Sequence, residues 1–340
     1  MKSIFDRRKF IKTVTVAGAG MGLAGSGVFT GGTNAEDPVP VGIIGLDTSH
    51  SVAFTRLINS PEGAEQTGFK VVAAFPYGSR TIESSYTRIP EITEEVKGMG
   101  VDIVDSIDEL LDRVEVVLLE TNDGNPRLEQ ALQVIEAGKR MFIDKPVAAS
   151  LQDTISIMEA SRQYDSPIFS TSSLRYINSA HEVRYENLIG EVMGAETYSP
   201  AVLEESHPDL FWYGIHGVET LFAVLGTGCR SVSRTRREGT DIVVGTWEGD
   251  RMGTFRGIRA GRRGYGGTAF GSEEILTLGP YEGYGGLMTD ILQFFRTGVA
   301  PVSLEETLEV YAFMEGADES TRRGGEQVSL DEVISNAQPT

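Results

Sequence analysis

Between residues 39 and 170 short apolar runs alternate with helix-patterned segments, and this alternation constrains the chain more than any other feature. The runs are 39–46 (VPVGIIGL), 69–75, 103–104, 114–119, 141–143 and 168–170. They are mostly apolar, with Lys70 and Glu115 near the starts of their runs, rather than apolar at every second position, as strands buried on both faces of a parallel sheet are. Between them lie helical spacings through Phe54, Leu57 and Ile58, from Ser106 to Leu111, over 126–137 with a stop at Gly138, and over 151–164. Strand and helix in turn give a doubly wound α/β sheet. Further on, 192–198, 232–236, 242–247, 252–259 and 275–278 alternate in polarity and are separated by Gly and charged clusters, while 281–296 and 304–321 are helical. That pattern predicts a second, α+β domain with an open, largely antiparallel sheet. The expected boundaries are 36–172 for the first domain, 173–330 for the second and 331–340 for a tail.

The first 35 residues read as an address rather than as fold. A charged stretch with Arg7-Arg8 precedes the apolar, Gly-rich segment 14–29 and then Thr33-Asn34-Ala35, the order of an export signal. The paired arginines followed by x-Phe-Ile-Lys resemble a twin-arginine signal, so a periplasmic or otherwise exported location is expected. Gly20-Met21-Gly22-Leu23-Ala24-Gly25 matches G-x-G-x-x-G inside this segment. It is rejected as a dinucleotide loop, because more glycines follow where a helix must run. After the signal no run of apolar residues is long enough to span a membrane. The net charge of −19 argues against a nucleic-acid binder. A single cysteine, Cys229, excludes a disulfide framework and a Cys-based zinc cluster.

Three stretches carry a family resemblance. They are Glu129-Gln130-Ala131-Leu132 through Ala137-Gly138-Lys139 to Asp144-Lys145-Pro146; Gly214-Ile215-His216-Gly217-Val218-Glu219 with Leu225-Gly226; and Phe294 to Pro301 with Ser303-Leu304-Glu305. Together they resemble the Gfo/Idh/MocA oxidoreductases over about residues 39–330. The resemblance implies a Rossmann-like dinucleotide-binding domain and a substrate and oligomerisation domain. It implies NAD or NADP as cofactor, and a homo-oligomer formed through the second sheet. It places Lys145 beside the reacting carbon and the nicotinamide, with Asn122, Pro146 and Arg175 near the cofactor, and it aligns His216 with the family's catalytic histidine.

The departures from the family bear directly on function. Gly45 is present, but Asp47-Thr48-Ser49-His50 stands where the remaining glycines of the cofactor loop belong. Asp47 would set a negative charge beside a pyrophosphate, whereas Thr48, Ser49, His50 and the helix N–H groups suit an anion. The loop is either a modified cofactor loop, one that has lost its nucleotide, or a simple helix cap. No carboxylate follows the second strand. Ser79 and Arg80 suit a 2′-phosphate there, which favours NADP. Trp212 replaces the acid that many members carry one turn before His216, and Glu219 is expected to hold the imidazole instead. His207, Asp209, Trp212, Tyr213 and His216 make a segment suited to a sugar, with Lys145 and Arg175 as further substrate contacts. His207, Asp209, His216 and Glu219 form an alternative metal set. The expected activity is NAD(P)-dependent oxidation or reduction of a sugar, cyclitol or glycoside with a tightly held cofactor. The alternatives are a non-redox, possibly metal-dependent carbohydrate lyase or hydrolase, and a carbohydrate-binding protein without catalysis.

Overall fold

The computed structural model describes residues 37–60 and 67–338; the signal read at 1–35 lies outside them. In the first half, strands β1 (Val39–Ile44), β2 (Phe69–Phe75), β3 (Asp102–Ile103), β4 (Val116–Leu119), β5 (Arg140–Ile143) and β6 (Ile168–Ser170) form one parallel sheet of order β3-β2-β1-β4-β5-β6. The intervening helices are α1 (Ser49–Asn59), α2 (Glu83–Tyr86), α3 (Ile89–Gly98), α4 (Ile107–Leu111), α5 (Arg127–Glu136) and α6 (Leu151–Gln163). Capping sets several starts. Thr48 accepts from the His50 N–H at α1, and Ser150 accepts from Asp153 at 3.0 Å at α6. The order reverses between β1 and β4, so the loops at the carboxyl ends of those two strands part and leave a crevice.

In the second half a short 3₁₀ turn (Ser173–Tyr176) and α7 (Asn178–Tyr185) lead into β7 (Val192–Pro200) and α8 (Ile215–Leu225). Then follow β8 (Cys229–Arg237), β9 (Thr240–Trp247), β10 (Met252–Ile258), β11 (Gly266–Gly271), β12 (Ile275–Leu278), α9 (Gly285–Thr297), α10 (Leu304–Arg322), β13 (Val328–Ser329) and α11 (Leu330–Asn336). The second sheet has the order β12-β11-β7-β10-β9-β8-β13, antiparallel except for the β7–β10 pair. Helix α8 is buried at every position and packs with α10 against one face of this sheet.

Three expectations need correction. Residues 331–340, read as a tail, carry α11 through Asn336, whose Val333 is buried. Strands β11 and β13 were not foreseen. The first domain is not a continuous segment either. From α9, Leu287, Met288, Ile291, Phe294 and Phe295 pack with Phe54, Phe69, Phe142 and Phe169 on one face of the parallel sheet. A helix from the far end of the chain thus completes a layer begun at Val39.

Candidate active site

The crevice is built from three strand ends. Gly45, at φ +92°, turns the chain after β1 hard against the end of β4. A Cβ there would lie 2.5 Å from the Thr121 nitrogen, so only glycine fits. Two residues later Asp47 is fully buried, and its carboxylate accepts from the backbone N–H of Ser79 (2.7 Å) and of Asn122 (2.9 Å). It ties the loops after β2 and β4 to the β1 turn. Burial raises its pKa, and the two N–H donors oppose that rise. The loop after β2 closes directly upon it: a Cβ on Gly78 would come within 2.3 Å of its oxygen.

On the other side of the turn stands a polar cluster. His50 Nδ1 lies 2.7 Å from Asp144 Oδ2 at the end of β5. One donor atom each from His50, Glu120 and Asp144 lie within 4.8 Å of one another. Glu120, directly after β4, is fully buried, and neither of its carboxylate oxygens has a hydrogen-bond partner. Burial and the neighbouring Asp144 push its pKa well up. Burial would raise Asp144 too, but His50 holds it well below the usual carboxylate range. Arg127 is buried beneath the cluster and spends its donors on the carbonyls of Thr121, Asp144 and Lys145. Lys145 is buried at the same edge, its Nζ 5.8 Å from the centroid of the Tyr213 ring. Burial lowers its pKa and Arg127 adds to the effect, against the pull of Asp144.

The second half of the chain supplies the opposite wall. His216, on the first turn of α8, is buried with Nδ1 2.7 Å from Ser172 Oγ. Burial lowers its pKa well below the ordinary value, with nearby Lys145 and His50 adding to the shift, so the imidazole is neutral at pH 7. Its ring meets Tyr213 and Tyr265 edge-on at centroid distances of 5.8 and 6.0 Å. Tyr265 continues to Tyr281, Tyr281 to Tyr284, and Tyr284 reaches His50 at 5.0 Å. The aromatic side of the site therefore runs from one histidine to the other. Tyr281 and Tyr284 lie in the loop before α9 and gave no signal in the sequence.

Several predicted site residues serve other ends. Glu219 does not hold His216. It accepts from Thr171 (3.0 Å) and from Arg175 Nε (2.8 Å), and the Arg175 guanidinium also pairs with Glu306 at 2.5 Å. Arg175 is thus engaged in an internal ion network rather than turned to a cofactor. His207 Nε2 accepts from the Gly124 N–H at 2.9 Å and pins the segment before α8 to the loop after β4. Asp209 pairs with Arg234 (3.0 Å) and Arg236 (2.5 Å). His207, Asp209, His216 and Glu219 consequently make four separate sets of contacts and no common metal centre. Trp212 is buried against His207, with ring centroids 5.1 Å apart, and leaves half-exposed Tyr213 facing the site. Ser79 is buried with its hydroxyl donated to Asp123 (2.8 Å), so it is not offered to a phosphate, while Arg80 is exposed. Asn122 uses its amide group on Ser85. Thr48 caps α1, Ser49 is exposed, and Pro146 follows Lys145 in a buried turn.

Residues 39–171 match the profile of the Gfo/Idh/MocA family, an oxidoreductase family with an NAD-binding Rossmann fold. Over these residues the chain carries that family's NAD-binding domain. It is 27% identical over 119 residues to an uncharacterized oxidoreductase of Streptococcus pneumoniae, a match covering 34% of this chain and 32% of that relative. The match therefore spans about a third of the relative's length. Among solved structures, GenD2 from gentamicin A biosynthesis, in complex with NAD, superposes with a TM-score of 0.69 at 17% identity, covering 89% of this chain and 99% of that one. A protein of Sinorhizobium meliloti assigned as a myo-inositol dehydrogenase gives 0.69 at 14% identity, over 86% and 99%. These likenesses show that the whole two-sheet fold is shared.

The turn after β1 departs from the family's glycine-rich cofactor loop. A dinucleotide pyrophosphate needs close backbone approach where the second and third glycines stand. Here Asp47 and His50 fill those places with side chains. The N–H groups of Ser79 and Asn122 are already taken by a carboxylate. Asp47, Glu120 and Asp144 also bring three carboxyl groups close together in the crevice.

Proposed function

We propose that this family member is an enzyme acting on one hydroxyl of a sugar, cyclitol or glycoside, with Lys145 moving the hydroxyl proton and His216 positioned to share it. The placement of Lys145 carries this reading. The amine is buried at the carboxyl edge of the parallel sheet, close to the Tyr213 ring and to a neutral imidazole. A partly desolvated amine exchanges protons more readily than an exposed one. Ring faces suit the apolar faces of a sugar, and the hydroxyl tips of the tyrosines suit its oxygens. The neighbour assigned as a myo-inositol dehydrogenase supports a polyol substrate. NAD or NADP is the family's cofactor, and its nicotinamide supplies hydride exchange when bound. Denaturing purified protein and identifying any released nucleotide tests the redox reading. Lys145→Met and His216→Ala should each lower turnover by about 10²–10⁴-fold with the fold intact. Full activity in Lys145→Met would overturn the assignment.

Asp47, His50 and Glu120 favour a second reading, in which the same acid–base centre works without a dinucleotide, as a lyase or hydrolase. Turnover by nucleotide-free protein would decide for it. Export by the twin-arginine route is supported by Arg7-Arg8, and replacing both with Lys should abolish periplasmic accumulation. The uncovered face of the second sheet supports a homo-oligomer. Tyr198, Arg256 and Ile242 stand in register across β7, β10 and β9, with Val244 and exposed Met252 on the same face. Light scattering checks that state.

A further inference from the structure

We propose that His50, Glu120 and Asp144 form a site for one divalent first-row transition-metal cation at the carboxyl edge of the parallel sheet. Each ligand comes from a different element: His50 from the first turn of α1, Glu120 from the residue after β4 and Asp144 from the residue after β5. The candidate donor atoms all lie within 4.8 Å of one another. Among the described residues no other His, Cys, Asp or Glu group converges in this way.

The independent observation is Glu120. A fully buried carboxyl with both oxygens unpartnered is costly to keep, because such groups normally find donors. Arg127 and Lys145 are the neighbouring cations, yet neither donates to Glu120, and the Arg127 donors go to three backbone carbonyls. Glu120 therefore keeps the lone pairs of both oxygens unpartnered, one oxygen within 4.8 Å of donor atoms of His50 and Asp144. A cation shared by the three groups satisfies those lone pairs and offsets the carboxylates that Asp47 and Asp144 add nearby.

The geometry requires only a small adjustment. Donor atoms on a tetrahedral zinc ion with bonds of about 2.0–2.1 Å stand about 3.3 Å apart. His50 and Asp144, at 2.7 Å, must part slightly, and Glu120 must draw in by up to about 1.5 Å. No hydrogen bond restrains the Glu120 carboxylate from that movement. One imidazole with two carboxylates suits Zn²⁺ or Mn²⁺ rather than Mg²⁺ or Ca²⁺, which prefer oxygen ligands throughout. The remaining coordination positions are available to an oxygen of the substrate beside Lys145, which the metal would polarise.

The test uses the full chain, stripped with chelator and titrated with Mn²⁺ under electron paramagnetic resonance, with Zn²⁺ as competitor. Wild type should bind one Mn²⁺ per chain and release it to Zn²⁺. Glu120→Gln and His50→Ala should each weaken binding by at least about tenfold. His181→Ala, which removes an exposed histidine on α7, should leave binding unchanged. Urea midpoints check folding, and His50→Ala carries the test should Glu120→Gln fail to fold. Absence of saturable binding, or wild-type affinity in both site variants, would overturn the proposal. The inference is independent of the substrate reading, since binding reports the first and turnover of Lys145→Met the second.

Discussion

Asp47 shows how one side chain can take over the work of a bound anion. Its carboxylate accepts the backbone N–H groups of Ser79 and Asn122 and so holds two strand-end loops against the β1 turn. Asp47→Ala leaves both donors buried without an acceptor. It should cost about 2–4 kcal/mol, seen as a lower urea midpoint with an unchanged slope. An unaltered midpoint would mean that the loops are held by other contacts. The replacement of glycines by Asp47 and His50 is legible from the loop motif alone. Glu120 is not legible, because an acid directly after Val-Val-Leu-Leu reads as the chain leaving the sheet for solvent. Only the strand order reveals that β4 ends beside β1, in the middle of the crevice. The Asp-Lys-Pro setting singles out Lys145 in the sequence, whereas no motif marks the partner of His216. That partner, Ser172, lies on the far side of β6, and proximity along α8 pointed to Glu219 instead.

At the scale of elements, α10 is fixed by charge as well as by packing. Ser303 caps it through the Glu306 N–H at 3.1 Å, and the Glu306 side chain accepts from Arg175 and Arg184. Burial alone would raise the pKa of Glu306, but the two guanidinium groups bring it down to about 2 from an ordinary 4.5. Because the folded value is the lower one, the ionised form favours the folded state. The contribution is present at neutral pH and is lost as pH falls from about 4.5 through about 2. Glu306→Gln should therefore destabilise by about 2–4 kcal/mol at pH 7 and by clearly less at pH 3, as denaturation at both values will show. An equal difference at the two values would rule out this origin. The strands were readable where apolar runs are continuous or alternate cleanly. Strand β11 was not, since Gly-Gly-Thr-Ala-Phe-Gly has the composition of a turn. Its glycine has a steric cause: a Cβ on Gly267 would lie 2.2 Å from the Glu196 carbonyl oxygen of the neighbouring strand.

Over the whole molecule, the two halves share one site and also share a layer. Helix α9 lays Leu287, Ile291, Phe294 and Phe295 on the parallel sheet, and Arg140 and Arg296 fasten its end by hydrogen bonds to Phe295 O (2.8 Å) and Thr67 O (2.6 Å). A fragment ending at residue 172 should consequently bind a hydrophobic dye strongly and fail to unfold cooperatively, whereas the full chain should do neither. A cooperative, dye-silent fragment would show that the first sheet needs no cover. The same helix sets a timetable for biosynthesis. Strand β6 ends at Ser170, and the covering segment begins only at Gly285. A ribosome must therefore deliver every strand of the second sheet except β13 while the aromatic face of the first still waits, open to chaperones and to its own siblings. The late arrival of α9 acts as a completion check, because a chain truncated anywhere before it exposes the stickiest surface it has.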